Sequence, residues 1–309
     1  MKILRVSSEQ YAGQFERFAP HIYNTVAFSE HNRKKSESLH YLVFSDSSPR
    51  LGLIAGEKNG ELQSPFSAPF GGFTSRGTQS IDRLIDAVRL LSDYAKSIGL
   101  RARVTLPPAL YAPTFIAHQA AALSLAASKV TIDTNHHRPL DFDEGCAQTV
   151  FRSKGRNSLN IALRNNLSFH LLDSSDPEQI RRAYEIIRRN HAELNHPLRM
   201  TYEDVVATAP ITGSRFMTVA ENGTDIAAAM INATTPEVAQ VIYWGDTSDG
   251  RGLRPMNFLA ASLMDHCRRS GIRILDIGPS SENGVPATGL CRFKESIGCI
   301  ASTKVSFIL

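Results

Sequence analysis

"DGRGLRPM", residues 249–256, sets two glycines, two arginines and a proline in eight positions between strand-like and helix-like sequence. Upstream, RFMTVAE (215–221), DIAAAMINAT (225–234) and EVAQVIYWG (237–245) read as three successive strands, with Asn222-Gly223 as the first hairpin turn. Downstream, Met256, Leu259, Ala260, Leu263, Met264 and Cys267 fall on one helical stripe, and Gly271 stands where a helix C-terminus favours glycine. IRILDIGP then reads as a strand, GLCRFKESIG as a short helix and STKVSFIL as a closing strand. The loop is therefore a strand-to-helix junction, and either a phosphate cradle or only a turn.

The first half repeats this order. LHYLVFS (39–45), RLGLIAGE (50–57) and GELQSPF (60–66) are strand-like, and the Pro- and Gly-rich SPFSAPFGGF (64–73) follows. Ile81, Leu84, Ile85, Val88, Leu91 and Tyr94 repeat at helical spacing from Ser80, with Gly99 just past the end. RARVTLPP, a helix around 111–125 and the strand-like KVTID complete the half. Residues 145–166 read as helical and basic, and the boundary is placed there, giving domains 1–145 and 146–309. Both read as α/β units with helices covering a mixed sheet.

Composition narrows the classes. The chain has 309 residues, is 42% hydrophobic and 21% charged, and has room for two globular cores. Its net charge of +4 is too mild to claim nucleic acid by itself, yet it suits an anionic cofactor. No stretch reaches the roughly 18 apolar residues of a membrane span, and the opening MKILRVSSEQ lacks a signal-peptide pattern, so a cytoplasmic protein is expected. Cys146, Cys267, Cys291 and Cys299 form no CxxC pair and read as reduced thiols.

The order of elements, taken with four stretches, resembles the acyl-CoA N-acyltransferase fold of the GNAT superfamily in tandem. The nearer resemblance is to its Fem-type branch, which includes peptidoglycan bridge aminoacyltransferases. The stretches are SPFSAPFGGF (64–73), KGRNSLNIALRNNLSF (154–169), IIRRNHAELNHPLRMTYEDV (186–205) and DIGPSSENGVPATGLCRFKESIGC (276–299). The last is the most specific: a strand ending in GPS, then a GLxxFKxxxG helix.

The resemblance implies that two core strands splay apart and that an activated acyl donor inserts there. An amine then attacks, and backbone N–H groups hold the oxyanion. It also implies that Gly250, Arg251, Gly252, Leu253 and Arg254 form the pyrophosphate turn for acyl-CoA or acetyl-CoA at a helix N-terminus. The superfamily's usual arginine–glycine spacing is not reproduced: Arg251 is followed at once by Gly252, and Pro255 removes an N–H. Lys294 matches the lysine of the FK pair and would steady a donor phosphate or the oxyanion; otherwise it is a surface lysine. Asp246 would take a proton or orient the amine; otherwise it caps a turn. Tyr243 and Trp244 would line the acyl slot, or belong to the core. Phe66, Phe70 and Phe73 would wall an acceptor cleft, or merely fill the first half.

Other patterns lead nowhere. His191 and His196 are five apart and do not share a helix face, so no metal is expected. GPSSENG is not a nucleophile elbow. Arg181, Arg182, Arg188 and Arg189 make a basic helix face, solvated or in contact with RNA or an acidic substrate. Three readings follow. The chain is an N-acyltransferase using acyl-CoA on a small-molecule amine, or an aminoacyltransferase taking its residue from charged tRNA to a peptidoglycan-precursor amine. In the third it is a non-catalytic binding protein on the same fold.

Overall fold

A computed structural model describes residues 1–309. The alternating N-terminal residues form β1 (Lys2–Val6), and Ser7 with Gln10 makes a capping box that opens α1 (Ser8–Phe15). After α2 (Val26–His31) come β2 (Leu39–Ser45), β3 (Pro49–Lys58), β4 (Glu61–Ser64) and the two-residue β5 (Thr74–Ser75). The helical stripe expected from Ser80 is α3 (Ile81–Ser97), followed by β6 (Arg101–Thr105), α4 (Pro113–Ala126) and β7 (Lys129–Pro139).

The second half opens with α5 (Ser153–Leu163), β8 (Leu167–Leu172), α6 (Pro177–Glu193) and α7 (Tyr202–Thr212). Then follow β9 (Arg215–Glu221), β10 (Thr224–Ala233), β11 (Val238–Asp246) and α8 (Pro255–Arg269). β12 (Ile274–Pro279), β13 (Ser281–Glu282), β14 (Val285–Pro286), α9 (Thr288–Ser296) and β15 (Ile300–Ile308) complete the chain. Asn222 and Gly223 both take positive φ, 49° and 83°, as the β9–β10 hairpin turn requires.

The chain forms two compact units. Unit 1 is Met1–Thr134 with Ser281–Val285 and Ser302–Leu309, and unit 2 is Asn135–Ser280 with Pro286–Ala301. In unit 1 the strand order is β1-β2-β3-β4-β6-β15, and in unit 2 it is β8-β9-β10-β11-β12-β7. Neighbours are antiparallel except β4–β6 and β11–β12, which are parallel. The same order thus occurs twice in a mixed sheet with helices on it, as expected. The closing strands differ from the simple reading, because each half lends its last strand. STKVSFIL lies in β15 and pairs with β6 of unit 1 through Ser306↔Thr105 and Phe307↔Val104. The C-terminal part of β7 pairs with β12 of unit 2 through Arg138↔Leu275 and His137↔Asp276.

Each unit buries apolar side chains on both faces of its strands. In unit 1, Leu84 and Leu91 of α3 and Leu123 of α4 pack on Leu42, Leu53 and Val104, while Tyr11 and Phe15 of α1 pack on Tyr41 and Ile54. In unit 2, β10 splits its residues by the strand period of two. Ala227, Ala229 and Ile231 face Leu259, Leu263 and Met264 of α8, and Ala228 and Met230 face Ile180 and Ile187 of α6 with Val205 of α7. The alanine run in DIAAAMINAT thus serves two helix-covered faces.

Candidate functional site

The parallel pairing of β11 with β12 covers only Val238↔Ile274, Ala239↔Leu275 and Gln240↔Asp276. β11 nevertheless runs on to Asp246 and β12 to Pro279, so beyond Gln240 the two strands share no rung. A polar network marks that point. The fully buried Asp276 carboxylate accepts from Gln240 Nε2 at 2.9 Å, from Asn135 Nδ2 at 2.8 Å and from the Gly278 amide at 3.0 Å. Lys294, only 2% exposed, donates from Nζ to the carbonyls of Ile277, Gly278 and Pro279 at 3.0, 2.9 and 2.9 Å. An ammonium has three N–H groups, and all three are used. Burial pushes its pKa down to about 8. Beside it, His136 Nδ1 lies 2.8 Å from Ser280 Oγ, while His136 Nε2 is buried without a partner. Burial, then the charge of Lys294, lowers the pKa of this imidazole.

The loop after β11 is zipped to the C-terminal end of α6. Arg251 donates from Nε and from a terminal nitrogen to Asp246 Oδ1, both at 3.2 Å, and approaches Glu193 at 3.7 Å. Glu193 accepts from the amide and hydroxyl of Ser248, both at 3.0 Å, Asp249 pairs with Arg189 at 2.7 Å, and Asn190 Nδ2 donates to the Asp246 carbonyl at 2.7 Å. Burial raises the Asp246 pKa against the opposing pull of Arg251. Residues Arg251–Leu253 form one 3₁₀ turn, Leu253 rests on the core, and Arg254 takes a left-handed φ of 60° directly before Pro255 opens α8. The two glycines differ: a Cβ on Gly250 would stand 2.8 Å from Ile226 Cβ, whereas Gly252 has nothing within 4 Å.

The remaining expected residues are placed as follows. Tyr243 and Trp244 are neighbours on β11 and face opposite sides. Trp244 meets Phe293 of α9 at 5.8 Å between ring centroids, and Tyr243 meets His191 of α6 at 5.4 Å. Asp246 and Lys294 belong to separate networks, one anchored on Arg251 and the other on backbone carbonyls. Phe66, Phe70 and Phe73 are 7%, 1% and 1% exposed within unit 1. Phe70 sits among His21, Tyr23 and Tyr111, and Phe73 lies against Phe44.

The basic face of α6 is neutralised. Arg181, Arg182, Arg188 and Arg189 pair with Glu178, Asp225, Glu185 and Glu193 respectively. On α5, in contrast, Lys154 and Arg156 are exposed and no acidic residue occurs between Ser153 and Leu163. No group of three or more His, Cys, Asp or Glu side chains is placed to hold a metal ion. No helix is long and apolar enough to cross a membrane.

Sequence reading missed Gln240, Asp276, Asn135, His136 and Ser280. One signal was available: Gln240 and Asp276 are lone polar residues within apolar strand runs, where burial demands a partner.

Residues 152–295 match the family model described as an acetyltransferase (GNAT) domain. No curated protein matches the chain. Among solved structures, FemX matches at a TM-score of 0.62 with 12% identity, over 100% of this chain and 98% of its own. L-PGS from Bacillus licheniformis matches at 0.60 with 12% identity, over 97% of this chain and 90% of its own. A tandem GNAT protein from the clavulanic acid biosynthesis pathway matches at 0.55 with 10% identity, over 99% and 98%. The fold is that of the tandem GNAT and Fem-like proteins.

Proposed function

Given that fold, we propose that the chain is an acyltransferase, with its donor site in the C-terminal half (146–309) and an N-terminal domain (1–145) that supports it. The observation that carries this reading is the parting of β11 and β12 after three paired residues. The gap gives an activated acyl group a slot beside strand backbone whose hydrogen-bonding groups have no neighbouring strand on that side.

The reaction is a nucleophilic acyl substitution. A neutral amine nitrogen of the acceptor bonds to the acyl carbon and the carbonyl becomes an oxyanion held by β11 backbone N–H groups. The C–S bond of the thioester then breaks and the thiolate leaves. The amine must lose its protons, and Asp246 is the acceptor we assign, directly or through water. Its burial raises its basicity, and Arg251 at 3.2 Å keeps the carboxylate available. Trp244 lines the slot on the α9 side and Tyr243 on the α6 side. The acyl-CoA diphosphate sits on the turn Gly250–Arg254, where Arg254 is exposed and Arg251 exchanges a carboxylate for phosphate.

A second donor is favoured by a specific observation. Arg251 is already held by two carboxylates, while α5 presents unpaired cations, a pattern that suits the phosphates of charged tRNA better than a preformed CoA cradle. A peptidoglycan-precursor amine is then the acceptor, as in the Fem-type branch.

Calorimetric titration with acetyl-CoA and CoA, run beside an Arg251→Ala, Arg254→Ala double variant, tests the first donor. Micromolar binding lost in the variant supports acyl-CoA. No heat with either, together with retention of aminoacyl-tRNA in a gel-shift assay, supports the second. Failure of both leaves a non-catalytic protein.

A further inference from the structure

We propose that Lys294 is a positioning residue that fixes where β11 and β12 part, and so sets the width of the donor slot. This rests on reading that parting as the slot.

In a regular strand, successive carbonyls point to alternate sides. Three consecutive carbonyls that converge on one ammonium therefore mark a bulged strand end, which has left β11 but stays on β7 through Gly278↔His136 and Pro279↔Asn135. Gly278 supplies the bulge with a φ of +78°, and the register of β12 against β7 shifts between Asp276 and Gly278 before it resumes. The other side of the same segment is held by Asp276. Its carboxylate takes the Gly278 amide and, across the last rung, the side-chain amide of Gln240. Ser280, one residue beyond Pro279, is tied to His136. The strand end is thus gripped from α9, β11 and β7 at once.

The helix that carries Lys294 is itself fixed. Gly155 of α5 lies so close to the Ser296 carbonyl that a Cβ there would overlap it, and the Arg152 amide donates to the same carbonyl at 2.9 Å. Lys294 transmits this fixed position to residues 277–279. With its three N–H groups committed to carbonyls, it has none for a donor phosphate or an oxyanion.

The test combines amide hydrogen exchange with acetyl-CoA titration on the full chain, comparing wild type, Lys294→Met and Gln240→Ala. Exchange at 241–246 and 277–287 should quicken at least tenfold in both variants, while 39–64 stays within twofold. Donor affinity should fall at least tenfold in both. Unchanged exchange in both segments overturns the proposal, as does acceleration spread evenly over unit 2, which is ordinary destabilisation. Donor affinity within twofold of wild type in Lys294→Met, with acyl transfer lost, also overturns it and places the lysine on the reacting atoms. If wild type binds no acyl-CoA, the donor reading fails separately and the exchange pattern decides. If Lys294→Met does not fold, Gln240→Ala decides by the same two readouts.

Discussion

In unit 1, β4 pairs with β6 over Glu61–Ser64 and then stops; in unit 2, β11 pairs with β12 over Val238–Gln240 and then stops. The two breaks occupy the same place in the strand order and are finished differently. In unit 1 the chain refills its own gap. The Gly71 amide donates to the Thr105 carbonyl of β6 at 2.8 Å, the Gly72 amide to Ser64 Oγ at 3.2 Å, and the Phe73 amide to Gln119 Oε1 at 2.8 Å. The rings of the same segment are buried, Phe66 with Tyr11, Phe15 and Ile54 on the α1 face, Phe73 against Phe44 in the α3 core, and Phe70 among His21, Tyr23 and Tyr111. In unit 2 the residues after β11 turn away to α6 and α8, and the end of β12 is held by a lysine and a carboxylate. One break is closed by the following segment's own backbone amides and the other is kept by buried polar groups, which is why the proposed chemistry is assigned to unit 2.

The largest effect is expected in the segment that closes the break. Phe70→Ala removes a ring enclosed by His21, Tyr23 and Tyr111 and should cost about 3–5 kcal/mol, read as a lowered midpoint in urea unfolding. Exchange protection should fall first in unit 1. A loss below about 1 kcal/mol would show that the plug relaxes and that the two breaks are less different than they look.

Next comes the pH response of unit 2. Lys294 releases its proton at about 8 in the fold, against an ordinary lysine value of 10.5, because burial disfavours the charge. Between those values the unfolded chain binds the extra proton, so unfolding free energy rises with pH across the window. Its benefit is complete above 10.5 and lost as pH falls through 8, on the order of 3 kcal/mol in all. Asp276, His136, Cys291 and Cys299 also influence this site, so the difference between wild type and Lys294→Met is the informative curve. That difference should change across pH 8 to 10.5. A flat difference would show that Lys294 has an ordinary pKa.

Much of this architecture was legible in sequence. The helical stripes of α3 and α8, the Asn222-Gly223 hairpin and the repeated strand order all follow from local periodicity. The exchange of closing strands was not legible, since the part of β7 that joins β12 is the polar run Asn135–Pro139 beyond KVTID, and STKVSFIL carries no mark of which neighbour it joins. Lys294 was visible as the lysine of an FK pair, but a short-helix lysine looks the same whether its ammonium meets water or three carbonyls. Arg251 read as a phosphate ligand, because the sequence does not show that its guanidinium turns back to Asp246, five residues earlier, and toward Glu193 on α6. The self-neutralised face of α6 could have been seen: Glu178, Glu185 and Glu193 stand three or four residues from Arg181, Arg188 and Arg189.

The smallest effects separate the two glycines of the loop at the open break. Gly250→Ala drives a methyl against the branched Ile226 side chain at 2.8 Å, in a segment already tied down by Asn190, Glu193 and Arg189. It should cost about 1–3 kcal/mol as overpacking. Gly252→Ala meets nothing within 4 Å on an exposed 3₁₀ turn whose φ is not left-handed, and should stay within about 0.5 kcal/mol. Because the fold tolerates that methyl, any loss of acetyl-CoA affinity in Gly252→Ala reports on a ligand approaching the turn rather than on stability. Unchanged affinity beside unchanged stability would mean that no phosphate comes close to Gly252, and the loop would then be only the turn that joins β11 to α8.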